Sequence, residues 1–292
     1  MRSLRLFAIS LSAFVLMTGS AARASAEADW QKSYPVSGKP SISLSTGDTS
    51  VEVRPCSACR EVRVRVEWND RYPSEYVLSE FQAGDHVTFE VKEKSRFGIH
   101  ITTGSRHEPH VTVETPSTAD LEARTTDGSL RVSGIQGNVE LKTGDGSVEV
   151  SDVSGALRLT ASDGSIRIHN VIGTLESRSS DGSVSIHGQF TALHVHSGDG
   201  RLDVTLADGS RLTSSSRIES SDGQVTIHLP RTLAADLEVH TSDGKIKCEL
   251  PLTMNGYNST SSSGHNLRGH LNSGGLPLTI QTSDGNVTIA AL

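Results

Sequence analysis

"TGDGSVEV", residues 143–150, carries the decision about this fold. Two glycines flank an aspartate, and Val148 and Val150 then alternate with Glu149. The string "TGDTSVEV" at residues 46–53 repeats it with Thr49 as the only difference. Such a stretch is either a ligand loop used twice or a structural unit used many times. Spacing separates the two. Asp-Gly recurs at Asp127-Gly128, Asp145-Gly146, Asp163-Gly164, Asp181-Gly182 and Asp199-Gly200, every 18 residues. It continues more loosely at Asp222-Gly223, Asp243-Gly244, a degenerate Ser263-Gly264, and Asp284-Gly285. A fixed period of this kind is the mark of a repeat architecture.

Alignment on the Asp-Gly glycine exposes the columns. Two and four residues after it every unit but the degenerate one is apolar, as in Leu130 and Val132, Val148 and Val150, Ile166 and Ile168. Upstream, a second strand shows Leu121 and Ala123, Val139 and Leu141, Leu157 and Leu159. Three residues before the glycine the position is always small: Thr125, Thr143, Ala161, Ser179, Ser197, Ser220, Thr241 and Thr282. Alternation of period two is the signature of half-buried strands. A second glycine, at 137, 155, 173 and 209, marks another corner. Glycine at both corners is expected to supply positive φ and to leave room where a β-carbon would clash.

An antiparallel meander would also show Asp-Gly turns. It gives no reason for every eighteenth residue to match in kind, whereas coils stacked in register do. The expected fold is therefore all-β, a β-solenoid of parallel β-helix or β-roll type with eight or nine coils of 18–22 residues. Its length would be about 40 Å at the rise of one strand per coil. Outward columns such as Arg131, Glu149, Arg167 and Glu140, Arg158, Glu176 alternate in sign, as stacked neighbours prefer.

Three segments follow. Residues 1–26 read as an export leader: Arg2 and Arg5, an apolar run from Leu6 to Met17, then Ala24-Ser25-Ala26 for cleavage. Residues 27–116 form an irregular β region of cap and first coils, rich in aromatics, with one true coil at "TGDTSVEV". Residues 117–292 form the regular repeats, including a degenerate coil at Ser263-Gly264 and an end at Leu292 with no evident cap. Loss of the leader removes three arginines and no acid, taking the formal charge from −7 to −10. An acidic exported chain argues against nucleic acid and anionic membrane as partners. The mature chain holds no apolar run long enough to span a membrane.

Cys56 and Cys59 in "RPCSACREV" read as a local disulfide pinning a turn, since their flanks alternate like strands and an exported chain is oxidised. Cys248 falls in an apolar column and is expected to pack as a small core residue. The aspartates raise calcium as a cofactor: Asp145, Asp163, Asp181 and Asp199 would stack rung on rung. A β-roll that binds calcium carries an aspartate at both corners of its coil. Here one corner has it, which favours Asx turns whose carboxylates hold nearby amides, and no cofactor. His169 and His187 are stacked neighbours by the same period, and His194 and His196 share a strand face, so both pairs are candidates for a transition metal.

No G-x-S-x-G elbow is present, and coils this short leave no room for loops that wall a cleft. A carbohydrate-active β-helix enzyme remains the rival reading, with Glu80, Asp85, Glu90 and Glu93 as its possible carboxylates. Trp68, Tyr72 and Tyr76 could present a partner surface for a glycan or an envelope protein, or pack the cap instead.

"HVTVETPSTADLEARTTDGSLRVSGIQGNVELKTGDGSVEV", residues 110–150, resembles the bacterial putative adhesin domain family, and "HLNSGGLPLTIQTSDGNVTI", residues 270–289, is similar to its closing repeat. The resemblance covers roughly residues 40–292. It implies a β-solenoid in exported or envelope proteins, an adhesive role, and no catalytic residues to carry over.

Overall fold

The computed structural model describes residues 29–68, 75–94, 109–254, 257–259 and 264–292. The expected leader and Tyr72 lie outside the described residues. In chain order the first strands are β1 (Trp30–Pro35), β2 (Ser41–Thr46), β3 (Ser50–Pro55), β4 (Glu61–Glu67), β5 (Tyr76–Ala83), β6 (His86–Glu93) and β7 (His110–Thr115). The regular region holds β8 (Asp120–Thr125), β9 (Leu130–Ser133), β10 (Gln136–Thr143), β11 (Val148–Ser151), β12 (Ser154–Ala161), β13 (Ile166–Ser179), β14 (Val184–Ser197) and β15 (Leu202–Leu206). Then come β16 (Ser216–Ser220), β17 (Val225–Leu229), β18 (Ala235–Thr241), β19 (Ile246–Cys248) and β20 (Leu252–Met254). The last are β21 (Tyr257–Ser259), β22 (Asn266–Leu271), β23 (Pro277–Thr282) and β24 (Val287–Ala291).

Strands that precede an Asp-Gly corner form one parallel stack, A, and those that follow it form a second, B. In stack A, Val139 lies between Leu121 and Leu157; in stack B, Val148 lies between Leu130 and Ile166. The solenoid expectation holds: neighbouring rungs run parallel, displaced by one repeat. The two 14-residue strands β13 and β14 serve both stacks, their first halves in B and their second halves in A. Inward columns close into one core, in which Leu130, Val148, Ile166, Val184, Leu202, Val225, Val287 and Ile246 are all buried. Each such side chain contributes about 1.5–3 kcal/mol when removed from water. Cys248 belongs to the same core, and burial pushes its thiol pKa up.

The Asp-Gly corner meets one part of the sequence expectation, the clash of a β-carbon, and not the other, positive φ. Its glycines do not have positive φ; that conformation occurs at the other corner, for example at Gly155 (φ 128). Glycine is required at the Asp-Gly corner because the rungs touch there. A β-carbon on Gly146 would lie 2.0 Å from the Gly128 carbonyl oxygen, and one on Gly164 would lie 1.9 Å from that of Gly146. The amide is held by a hydroxyl and not by the aspartate. Gly146 N–H donates to Thr143 Oγ1 (3.2 Å), Gly223 N–H to Ser220 Oγ (3.2 Å), and Gly244 N–H to Thr241 Oγ1 (2.9 Å). The small column supplies this hydroxyl at Thr125, Thr143, Ser220 and Thr241, whereas Ser179 Oγ and Ser197 Oγ are buried without a partner, and the aspartates are left exposed.

Stacking order departs from chain order at both ends. The described residues form ten rungs, running β6/β7, β2/β3, β8/β9, β10/β11, β12/β13, β13/β14, β14/β15, β16/β17, β23/β24 and β18/β19. The early "TGDTSVEV" rung stacks directly beneath Asp120–Ser133. The rung below it, β6/β7, has no Asp-Gly corner to announce it, which is why the repeat count of eight or nine falls short. At the far end the final rung, β23/β24, is inserted between two earlier ones. Ser263 of the expected degenerate coil lies outside the described residues; from Gly264 the chain leads into β22, which runs antiparallel against β18 and carries β20 on its other edge.

Antiparallel strands are added at both ends; at the far end β22 covers β18, while β19 pairs with β24 alone among the described residues. At the first end β5 lies on β6, β4 on β7, and β1 on β4. β1 reaches across from the B side to the A side: Trp30 packs on Phe89 with ring centroids 5.2 Å apart, and Gln82 Nε2 donates to the Pro35 carbonyl at 2.7 Å. Tyr34 is buried and donates to Glu80, which also pairs with Lys32. Burial, then Glu80, raises the Tyr34 pKa above the ordinary phenol range. Burial alone would raise the Glu80 pKa, but the Lys32 and Tyr34 bonds hold it below the usual carboxylate range.

Candidate functional site

The outer face of stack A carries a trough of about 760 Å³ that crosses β6, β2, β8, β10, β12, β13 and β14. It arises from two neighbouring outward rows of unequal reach. One row runs Ser41, Asp120, Asn138, Ala156, Thr174, Ala192, and its side chains are short. The next runs Ser43, Glu122, Glu140, Arg158, Glu176, His194 and forms a charged wall. Both rows are outward because each alternates with a buried column, Leu121 to Leu193, between them.

The wall is internally neutralised. Arg158 Nε donates to Glu176 Oε2 at 2.8 Å, and Arg178 pairs with the same carboxylate. Lys142 Nζ pairs with Glu140 at 2.5 Å, Arg124 pairs with Glu122, and Lys39 Nζ meets Asp120 at 2.6 Å. The Arg158 hydrogen bond holds the Glu176 carboxyl below the ordinary range, and the Lys142 bond does the same for Glu140. Burial raises the Asp120 pKa, but the Lys39 bond and the Asn138 amide (2.8 Å) outweigh it, and the net shift is downward. At the head of the trough both His86 ring nitrogens are engaged, by Ser41 Oγ and Thr88 Oγ1 at 3.2 Å each. Phe81, in register with Thr88 on the same outer face, is 62 % exposed.

The residues singled out from sequence are placed as follows. His169 and His187 lie on adjacent rungs of stack B with rings stacked at 5.1 Å, and His187 Nδ1 is buried with no partner. His194 and His196 project together from stack A, where His196 Nδ1 is 3.7 Å from Glu219. Asp145, Asp163, Asp181 and Asp199 stand on the exposed corner ladder. Among the described residues no three His, Cys, Asp or Glu side chains converge as a metal cluster. Cys56 and Cys59 are disulfide-bonded in the turn between β3 and β4, with Cα atoms 5.8 Å apart, and Cys56 N–H donates to the Thr115 carbonyl at 2.9 Å. Trp68 does not present a surface: it is buried, with its ring centroid 5.7 Å from that of half-buried Tyr76. It covers the apolar end of the core.

The carboxylates named for an enzyme do not converge. Glu80 turns toward β1, whereas Glu90 points outward with Lys92 and Asp85 accepts the Ser37 amide at 2.7 Å. Sequence reading missed the trough. Its trace was legible in the contrast eight and six residues before each glycine, where Ala156, Thr174 and Ala192 are short and Arg158, Glu176 and His194 are long. It also missed the pair Asp236–His270 (2.6 Å), which joins β18 to the antiparallel β22 and escapes any period. The Gly275 amide, then His270, hold the Asp236 pKa down.

Fold and trough together define a class: an all-β, parallel-stacked repeat protein of β-solenoid type, with antiparallel strands added at both ends and a trough along one sheet face. The chain belongs to the Toastrack DUF4097 family, whose model matches residues 40–290. Among solved structures it is similar to a putative cell adhesion protein from Clostridium sporogenes, at 9 % identity over 91 % of this chain and 100 % of that one, with a TM-score of 0.30. It is similar also to a putative adhesin from Bacteroides fragilis, at 10 % identity over 91 % and 98 % with a TM-score of 0.38. A third, a putative adhesin from Parabacteroides merdae, matches at 9 % identity over 89 % and 95 % with a TM-score of 0.41. No curated protein matches the chain. No helix among the described residues is long and apolar enough to cross a membrane.

Proposed function

We propose that this is an exported, adhesin-like or envelope-scaffold protein that binds its ligand along the stack A trough and performs no chemistry on it. The observation that carries this reading is the trough itself, continuous over seven adjacent parallel strands. Export rests on the leader-like residues 1–26. The absence of catalysis is supported by the direction of the carboxyl shifts. A general acid for glycoside cleavage needs its pKa raised, while Asp120, Glu140 and Glu176 are all lowered.

Ala156, at the middle of the short row, tests the site. An Ala156→Trp side chain fills the trough without touching the core, so the melting temperature should stay within a few degrees of the wild type. Binding of the purified protein to isolated envelope fragments should then fall about tenfold or more. Unchanged binding by a folded A156W protein removes the trough from consideration. Release of reducing sugar from envelope polysaccharide by the wild type would show an enzyme instead.

A further inference from the structure

We propose that the ligand of the trough is a linear, uncharged glycan lying along the stack axis, with about one sugar on each rung. This rests on the binding reading above and adds the chemistry of the ligand. Four observations lead to it. First, the trough strands from β2 to β14 are paired on both edges, so their main-chain donors and acceptors are spent on the ladders. An extended peptide gains affinity by adding to a free sheet edge, and no such edge faces this trough. The ligand must be read by side chains alone.

Second, those side chains recur once per strand, about every 4.8 Å, so seven strands span roughly 29 Å. A matching ligand offers the same polar groups at nearly that repeat, as an equatorially linked pyranose chain does. Third, the charges are balanced within the wall. Glu140 has Lys142, and Glu176 has both Arg158 and Arg178. A polyanion would meet carboxylates and a polycation would have to displace the resident bases. A neutral polyol needs neither: ionised carboxylates keep unused acceptor sites and guanidinium keeps unused donors. Fourth, apolar surface borders the polar rows. Phe81, on β5 beside β6, stands 62 % exposed at the head. Sugar rings present C–H faces to such surfaces while their hydroxyls engage the wall, the mixture that ligand grooves use.

The test is calorimetric titration of the full mature chain with cello-oligosaccharides and chito-oligosaccharides from disaccharide to octasaccharide. Affinity should rise with each added sugar and level off near the heptasaccharide, with little dependence on salt. Ala156→Trp should weaken the longest ligand about tenfold or more, while Ser185→Trp, on the outer face of stack B, should leave it unchanged. Absence of binding by every neutral oligosaccharide overturns the proposal, as does affinity independent of length, or tighter binding of oligogalacturonate. If A156W abolishes envelope binding while no oligosaccharide binds, the trough keeps its role and the glycan assignment falls. If envelope binding is also unaffected, both fall.

Discussion

Gly164 has no β-carbon because the Gly146 carbonyl oxygen would stand 1.9 Å from it. Backbone, unlike a flexible side chain, cannot step aside in a ladder bonded above and below. Gly164→Ala should therefore cost at the upper end of the overpacking range, about 3 kcal/mol. Gly47→Ala meets nothing within 4 Å and should stay within about 0.5 kcal/mol. Urea denaturation of both variants checks the contrast; equal losses would mean that rung contact is not what demands glycine. The hydroxyl column yields a gain. Thr125, Thr143 and Thr241 each accept the corner glycine amide, but Ala161 has no hydroxyl to offer Gly164. Ala161→Thr should stabilise by about 0.5–1.5 kcal/mol, read as a raised urea midpoint at unchanged slope. At this scale the glycine and small-residue columns were plain in the sequence, and so was the clash a β-carbon would meet. That the clash is with the carbonyl of the neighbouring rung was not, because an eighteen-residue contact between backbones leaves no local trace.

Between elements, opposite charges bind strand to strand. Glu114 of β7 accepts from Arg54 of β3 at 2.8 Å on the parallel side and from Arg63 of β4 at 2.9 Å on the antiparallel side. The Arg54 hydrogen bond leads in holding its carboxyl pKa down. A carboxyl lowered by folding stabilises above its unfolded pKa, near 4.3, and that contribution is lost as pH falls through the folded value. Glu114→Gln should thus cost about 0.2–1 kcal/mol at neutral pH, the range for exposed pairs. The variant and wild type should converge in acid below pH 4 or so. Melting temperatures across pH measure this; a gap that persists in acid would assign the loss to packing. The alternation of Arg131 with Glu149 and of Arg158 with Glu176 was legible in the columns, and the structure joins both pairs at 3.0 Å and 2.8 Å. The Glu114 bridge was not, since β4 enters from outside the repeat.

For the whole molecule the decisive feature is that each terminal rung lies one place in from its end. β2/β3 sits under β6/β7, and β23/β24 sits between β16/β17 and β18/β19. An ordinary solenoid loses its last repeat at modest cost, because each repeat touches only its neighbours. Here deletion of residues 277–292 removes an internal rung and strands residues 231–276 with their cap. Limited proteolysis of the truncated chain should cut within that segment under conditions where the full chain resists. Equal resistance would show that the outer rung can close directly on β16/β17.

Strand, corner and rung were determined by the sequence, because a period of two within a period of 18 admits few other ways to bury its apolar columns. The order of the rungs was decided only in the tertiary structure. The rungs at this end present much the same ladder of glycine, hydroxyl and aliphatic side chains to one another, so Gly285 fits between Gly223 and Gly244 as well as any neighbour in sequence would. The trough was settled there too, because outward side chains are free of the core and acquire a common shape only when seven strands are laid side by side.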